Sequence, residues 1–103
     1  MKAALALIAD LAFASPAAAE QKSIQFCTGM GEIAQLVMEM RQTGAPLHFV
    51  ANEIGGRLDG DELNLALALT EAAYEQPLYS TDEYKQRAAF EFASDVFRLC
   101  RED

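Results

Sequence analysis

The stretch that decides the fold is YKQRAAFEFASDVFRLC, residues 84–100. Its apolar residues recur at steps of three and four, which places them along one side of an α-helix. That apolar line consists of Tyr84, Ala88, Phe92, Val96 and Leu99. The opposite side alternates in charge through Glu83, Arg87, Glu91, Asp95, Arg98 and Glu102. The pattern predicts a helix that packs with one face and exposes a charged, solvated face, where pairs of opposite sign four residues apart add a few tenths of a kcal/mol each.

Capping signals precede this last helix and the third helix, which lies upstream of it. Ser80 is a candidate N-cap for the last helix, with an acidic residue three positions later. Asp59 and Glu62 form a candidate capping box for the third helix, which Pro77 ends. The third helix is apolar on nearly all sides, and this favours a position at the centre of the fold.

The first helix is predicted over about residues 23–43, with Gly44 as its C-terminal stop. One polar stripe runs along it: Gln25, Thr28, Glu32, Gln35, Glu39 and Gln42. Gly29 and Gly31 weaken its first turns by about 1 kcal/mol each or let another helix approach closely. A short second helix follows over about residues 46–54. With no strand or hairpin pattern, the sequence predicts an all-α bundle of three long helices and one short helix.

The chain has two cysteines, Cys27 near the start of the first helix and Cys100 near the end of the last. In an exported protein an even count favours one disulfide, and the alternative is two buried free thiols. A bridge between these positions closes a loop of nearly the whole mature chain and stabilises it by about 4 kcal/mol. It also requires the first and last helices to pack antiparallel, with the third helix between or across them.

The first 19 residues, MKAALALIADLAFASPAAA, have the parts of a secretory signal peptide: a positive start, an apolar stretch and a small-x-small end. Cleavage after Ala19 leaves a single helical domain over residues 20–103, in the periplasm or secreted, with no stable membrane insertion. Asp10 is unfavourable within the apolar stretch. An uncleaved signal anchor and a cytosolic N-terminal helix are the alternatives.

The chain is acidic, with a net charge of −8. Such a charge disfavours binding to nucleic acid or anionic lipid through bulk electrostatics. It promotes solubility, and if clustered on one face it would steer the protein toward a basic partner.

No residues at catalytic, cofactor-binding or metal-ligating spacing are found in the sequence. His48 is the only histidine, and it has no ligand-type residue at metal spacing. The stretch LDGDEL, residues 58–63, superficially suggests calcium but lacks the longer ligand array of a calcium loop. There is no phosphate-binding loop, nucleophile elbow or Cys-x-x-Cys. The sequence therefore predicts a protein that is not an enzyme and has no cofactor.

Two groups of residues are candidates for a partner surface. Met30, Met38 and Met40 lie on the first helix, and methionine is common on adaptable binding surfaces. Tyr79 and Tyr84 flank a turn and could anchor a partner. The alternative is structural: methionines in the core and tyrosines covering the end of the bundle.

The Phe-Cys pair near the mature start, the stretches EMRQTGAPL and AAYEQPLYSTDEYKQRAAFEF, and the final RLC resemble a recurrent layout. It is that of small exported, helical, two-cysteine proteins of phages, prophages and proteobacteria, mostly of unknown function. This resemblance implies an envelope location and a phage or prophage origin, and it carries over no functional residues. In size and single bridge the chain is also similar to periplasmic acid-stress chaperones of the HdeA type. We expect a non-enzymatic periplasmic binding or regulatory protein that contacts an envelope protein, with an acid-stress chaperone as the alternative.

Overall fold

The structure, a computed structural model, describes residues 22–102, which form four α-helices and no strand. The helices are α1 (Ile24–Gln42), α2 (Leu47–Gly55), α3 (Gly60–Tyr74) and α4 (Asp82–Glu102). This confirms the predicted all-α fold of three long helices and one short helix. The predicted signal peptide, residues 1–19, lies outside the described residues.

Helix α1 is the centre of the fold. It packs against α4 along most of its length, against α3 on another side, and against α2 to a smaller extent. Its buried residues are Cys27, Met30, Gly31, Ala34, Val37, Met38 and Gln42. The prediction that the third helix is the most buried was wrong. Helix α3 buries only Ala66, Thr70 and Ala73, because one of its faces meets α1 and α2 while the rest remains accessible.

The chain runs up α1, back along α2, up α3 and down α4. Leu65 and Leu69 of α3 lie beside Met30 in the first half of α1. At the other end of α3, the Tyr74 hydroxyl donates a hydrogen bond to the Ala45 carbonyl just beyond α1. Helices α1 and α3 therefore run in the same direction, and α4 runs antiparallel to α1.

A disulfide joins Cys27 of α1 to Cys100 of α4. The two Cα atoms are 5.6 Å apart, within the range that a disulfide spans, and the residues are separated by 73 positions. Cys27 is fully buried. The predicted bridge and the antiparallel packing of the two helices are both confirmed.

Local signals fix both ends of α1, and the one at its C-terminal end, Gly44, was predicted from the sequence. The Ser23 hydroxyl accepts a hydrogen bond from the Phe26 backbone N–H at 3.0 Å, which caps the helix start. After the helix, Gly44 adopts a φ of +90°, a left-handed conformation that glycine tolerates best.

Two predicted caps were wrong in detail. Asp59 precedes α3, but its side chain makes no capping hydrogen bond. Gly60, the next residue and the first of α3, has a left-handed φ of +62°. At α4 the cap is Thr81 rather than Ser80: the Thr81 hydroxyl accepts from the Tyr84 N–H at 3.2 Å.

Helices α1 and α4 approach closely at Gly31. A Cβ atom at this position would lie 3.2 Å from the Ala93 carbonyl oxygen, tighter than an ordinary contact. At Gly29 a Cβ would meet nothing within 4 Å. The prediction of a close helix approach is therefore confirmed for Gly31 and wrong for Gly29.

Candidate functional site

An open cleft separates α3 from α4. Both helices pack on α1, but they make no extensive contact with each other. We call this region the α3–α4 cleft: α3 and α4 are its walls and α1 is its floor. Its position follows from the central place of α1, because two helices that attach to different sides of a third leave a groove between them.

The end of the cleft beside the disulfide is apolar. A cavity of about 270 Å³ opens there. It is lined by Lys22, Phe26, Met30, Leu65, Leu69, Val96, Leu99 and Cys100. Three of the apolar side chains are well exposed: Phe26 and Leu65 at 39% each and Leu99 at 55%. Contiguous exposed apolar residues of this kind mark interaction sites more often than isolated ones do.

The other end of the cleft is acidic. A smaller cavity of about 90 Å³ is lined there by Met38, Gln76, Tyr79, Ala88, Glu91, Phe92 and Asp95. On α4, Phe92 and Val96 are four residues apart and therefore lie on one face, so the two cavities open along the same face of α4. Glu91 and Asp95 are exposed at this end. Asp95 is paired with Arg98 at 3.0 Å, whereas Glu91 has no ion pair within residues 22–102.

The loop that connects the two walls is fixed by Gln42. This side chain is only 3% exposed. Its Nε2 donates to the Pro77 carbonyl at 2.8 Å, and its Oε1 accepts from the Tyr79 N–H at 2.9 Å. The Gln42 carbonyl accepts from Lys85 Nζ at 2.9 Å. Gln42 was predicted in the polar stripe of the first helix, and its burial is a correction: an amide that satisfies two backbone groups can be buried at low cost.

Arg41 fixes the same loop from the outside. Its Nε and Nη2 donate to the Gln76 carbonyl at 3.2 and 3.0 Å. Its guanidinium also lies 5.1 Å from the centre of the Tyr74 ring, within cation–π range. Burial raises the pKa of the Tyr74 hydroxyl, and the positive charge of Arg41 lowers it to a smaller extent.

The structure separates the methionines that were predicted as a partner surface. Met30 is 6% exposed and Met38 1% exposed, so both form core and do not present a surface. They lie eight residues apart and therefore share the face of α1 that meets α3 and α4. Met40 points elsewhere: it is half-buried and shares a small cavity with Leu36 and Ile54. The interpretation of these methionines as core was the better one for Met30 and Met38.

The two tyrosines predicted for the partner surface do lie together. Their rings, Tyr79 and Tyr84, have centroids 6.3 Å apart in a tilted arrangement. Tyr84 is exposed, and the Arg87 guanidinium lies 5.3 Å from its ring centre. Tyr79 is half-buried and contributes to the acidic end of the cleft. The tyrosine pair therefore borders the cleft.

Sequence reasoning missed the apolar end of the cleft. The signal that could have found it is the excess of apolar residues on α3. A helix that is apolar all round needs partners all round. Since only one face of α3 is buried, Leu65 and Leu69 are left to line an open surface.

The other candidates from the sequence are solvent-exposed. His48 is exposed on α2, and the acidic residues Asp59, Asp61 and Glu62 are exposed around the start of α3. Within residues 22–102, no group of three or more His, Cys, Asp or Glu residues lies close enough to hold a metal ion.

Two findings concern the compartment. The Cys27–Cys100 disulfide is typical of an oxidising environment. Among the helices of residues 22–102, none is long and apolar enough to cross a bilayer.

Comparison of the chain with protein-family models, with curated proteins and with solved structures finds no match in any of the three. The resemblance in layout to small exported two-cysteine proteins therefore stays a prediction from the sequence.

Proposed function

We propose that this is an exported, periplasmic or secreted, binding or regulatory protein that acts by protein–protein contact. In this proposal an apolar segment of an envelope protein docks into the α3–α4 cleft. The observation that carries it is the open apolar cavity beside the disulfide, with Phe26, Leu65 and Leu99 exposed around it.

The size of the cavity favours a protein segment over a small-molecule ligand. Its volume of about 270 Å³ is below the lower limit of typical ligand pockets, and a second cavity lies along the same face of α4. A groove of this kind accepts one or two large apolar side chains, which are the usual anchors of protein interfaces. Burying the exposed apolar surface of the cleft would supply the driving force at about 25 cal/mol per Å².

The disulfide supports the proposal because it keeps the cleft preformed. Cys100 lies in the wall of the cavity, and its bond to Cys27 fixes the end of α4 to the floor. A preformed groove loses less conformational entropy on binding than a flexible one. The same bond requires an oxidising compartment, in agreement with the predicted export.

Site-specific photocrosslinking tests the proposal. A photoreactive phenylalanine analogue is introduced at Leu99 or, as a control, at Phe90, which is 50% exposed on α4 but does not line the cleft. We expect a discrete crosslinked envelope protein from Leu99 and none from Phe90. Equal crosslinking from both positions, or none from Leu99, would contradict a binding role for the cleft.

The acid-stress chaperone is the second candidate, and the structure gives it less support. Acid-driven exposure of apolar surface requires carboxylates whose protonation destabilises the fold. The only buried polar side chains in the described residues are Gln42 and Thr70, and neither titrates. The ion pairs on α2 and α4 are exposed and contribute little. Suppression of client aggregation at low pH by equimolar protein would favour this candidate over ours.

A further inference from the structure

We infer that the occupant of the α3–α4 cleft is an amphipathic α-helix of a partner protein with lysine or arginine in its N-terminal turn. This inference rests on the proposed function and adds the conformation, direction and charge of the segment that binds.

The walls of the cleft favour a helix over an extended segment. An extended peptide needs a sheet edge to satisfy its backbone hydrogen bonds, whereas a helix satisfies them internally. The cleft offers only helix surfaces, and residues 22–102 contain no strand. Its apolar side chains also recur at helical spacing, with Phe92 and Val96 on one wall and Leu65 and Leu69 on the other. Such rows accept the side chains of another helix.

The length of the cleft sets the length of the helix. On α4 the lining extends from Ala88 to Cys100. At 1.5 Å per residue this is about 18 Å, or roughly three helical turns. An occupant of about 12–14 residues, with apolar residues at steps of three and four, would therefore fill it.

The charges at the two ends of the cleft set its direction. Glu91 lies at one end, together with Asp95, which is already paired with Arg98, and Lys22 lies at the other end. A helix has a positive N-terminus and a negative C-terminus, so its N-terminus should lie at the acidic end. A basic residue in the first turn would then pair with Glu91, which has no ion pair within residues 22–102. The occupant would run parallel to α4 and antiparallel to α1.

The charge of the chain argues against a second copy as the occupant. The net charge is −8, so two copies repel each other on approach. A partner with a basic helix end is attracted instead, and this attraction also raises the rate of association.

Two synthetic helical peptides of about 14 residues test the inference. They share one leucine face and one composition, but one carries lysines in the first turn and glutamates in the last, and the other carries the reverse. We expect the lysine-first peptide to bind the oxidised protein about two- to fivefold more tightly at low salt, the effect of one exposed ion pair. The Glu91→Lys variant should reverse this preference. The control variant Glu83→Lys, which changes a charge on α4 outside the cleft, should leave it unchanged.

The outcomes separate this inference from the proposed function. The inference of a helix with a basic N-terminal turn would be overturned by any of three results: equal affinity for the two peptides, no binding of either, or a preference that Glu91→Lys does not reverse. If photocrosslinking from Leu99 still captures an envelope protein in that case, the proposed function stands and only the inference fails. A dimer seen by analytical ultracentrifugation and abolished by Leu99→Lys would overturn the inference in favour of a second copy.

Discussion

Replacing Gln42 by leucine tests whether the loop between α3 and α4 is held by a buried side chain. The Gln42 amide makes two hydrogen bonds to the loop, to the Pro77 carbonyl at 2.8 Å and from the Tyr79 N–H at 2.9 Å. Leucine has a similar size but cannot make either bond. A typical hydrogen bond contributes about 1 kcal/mol, and leaving a partner unsatisfied costs about 1–3 kcal/mol. We therefore expect Gln42→Leu to lower the free energy of unfolding by about 2–4 kcal/mol.

Urea unfolding followed by circular dichroism measures this change, and Gln35→Leu is the matched control. Gln35 lies two helical turns earlier on α1 and makes one exposed hydrogen bond, to Glu39 at 3.1 Å. The control should change stability by no more than about 0.5 kcal/mol, because Gln35 is only partly buried and its one hydrogen bond is exposed to water. The reasoning is refuted if the two variants unfold at the same urea concentration, because burial and loop anchoring would then have no effect.

Three further predictions concern the disulfide, the two glycines of α1 and Tyr74. Serine at both Cys27 and Cys100 should lower stability by about 4 kcal/mol, seen as a lower urea midpoint; a loss below about 1 kcal/mol would contradict a structural role for the bridge. Gly29→Ala should raise the thermal midpoint, since alanine favours a helix by up to about 1 kcal/mol, whereas Gly31→Ala should lose this gain against the α4 backbone 3.2 Å away. Because burial raises the pKa of Tyr74, the folded state holds this proton more tightly than the unfolded state, and stability should fall as the pH rises past about 10. Tyr74→Phe should remove that fall in a series of unfolding curves, and a wild-type curve flat in this range would exclude the effect.

The features that the sequence predicted correctly depend on local or covalent signals. The amphipathic pattern of α4 predicts a helix with one packed face, and Gly44 ends α1 through its own backbone conformation. The disulfide was predictable because the chain has only two cysteines and the helix boundaries place them at facing ends. Each of these inferences needs only the residues themselves and their spacing.

The features that the sequence did not predict depend on which faces meet. An apolar α3 indicated a central helix, but the same composition also suits a helix that lines a groove. The exposure of Leu65 shows that α3 lines a groove. Gln42 follows the polar stripe of α1 in spacing, yet it is buried because the loop after α3 returns over it. From the sequence, Met38 could lie on the surface or in the core. It lies in the core because α4 packs over it. Such choices are made by tertiary packing, which a single sequence does not specify.

The same packing explains why the cleft stays open. Its walls are fixed to the floor and not to each other: the disulfide holds the end of α4 on α1, and Gln42 holds the loop at the opposite end. Tyr74 fixes the end of α3 through its bond to Ala45. These attachments hold α3 and α4 on different sides of α1, and Leu65 and Leu99 stay exposed between them. The exposed apolar surface is therefore a consequence of these three attachments, and a partner can bury it without deforming the fold.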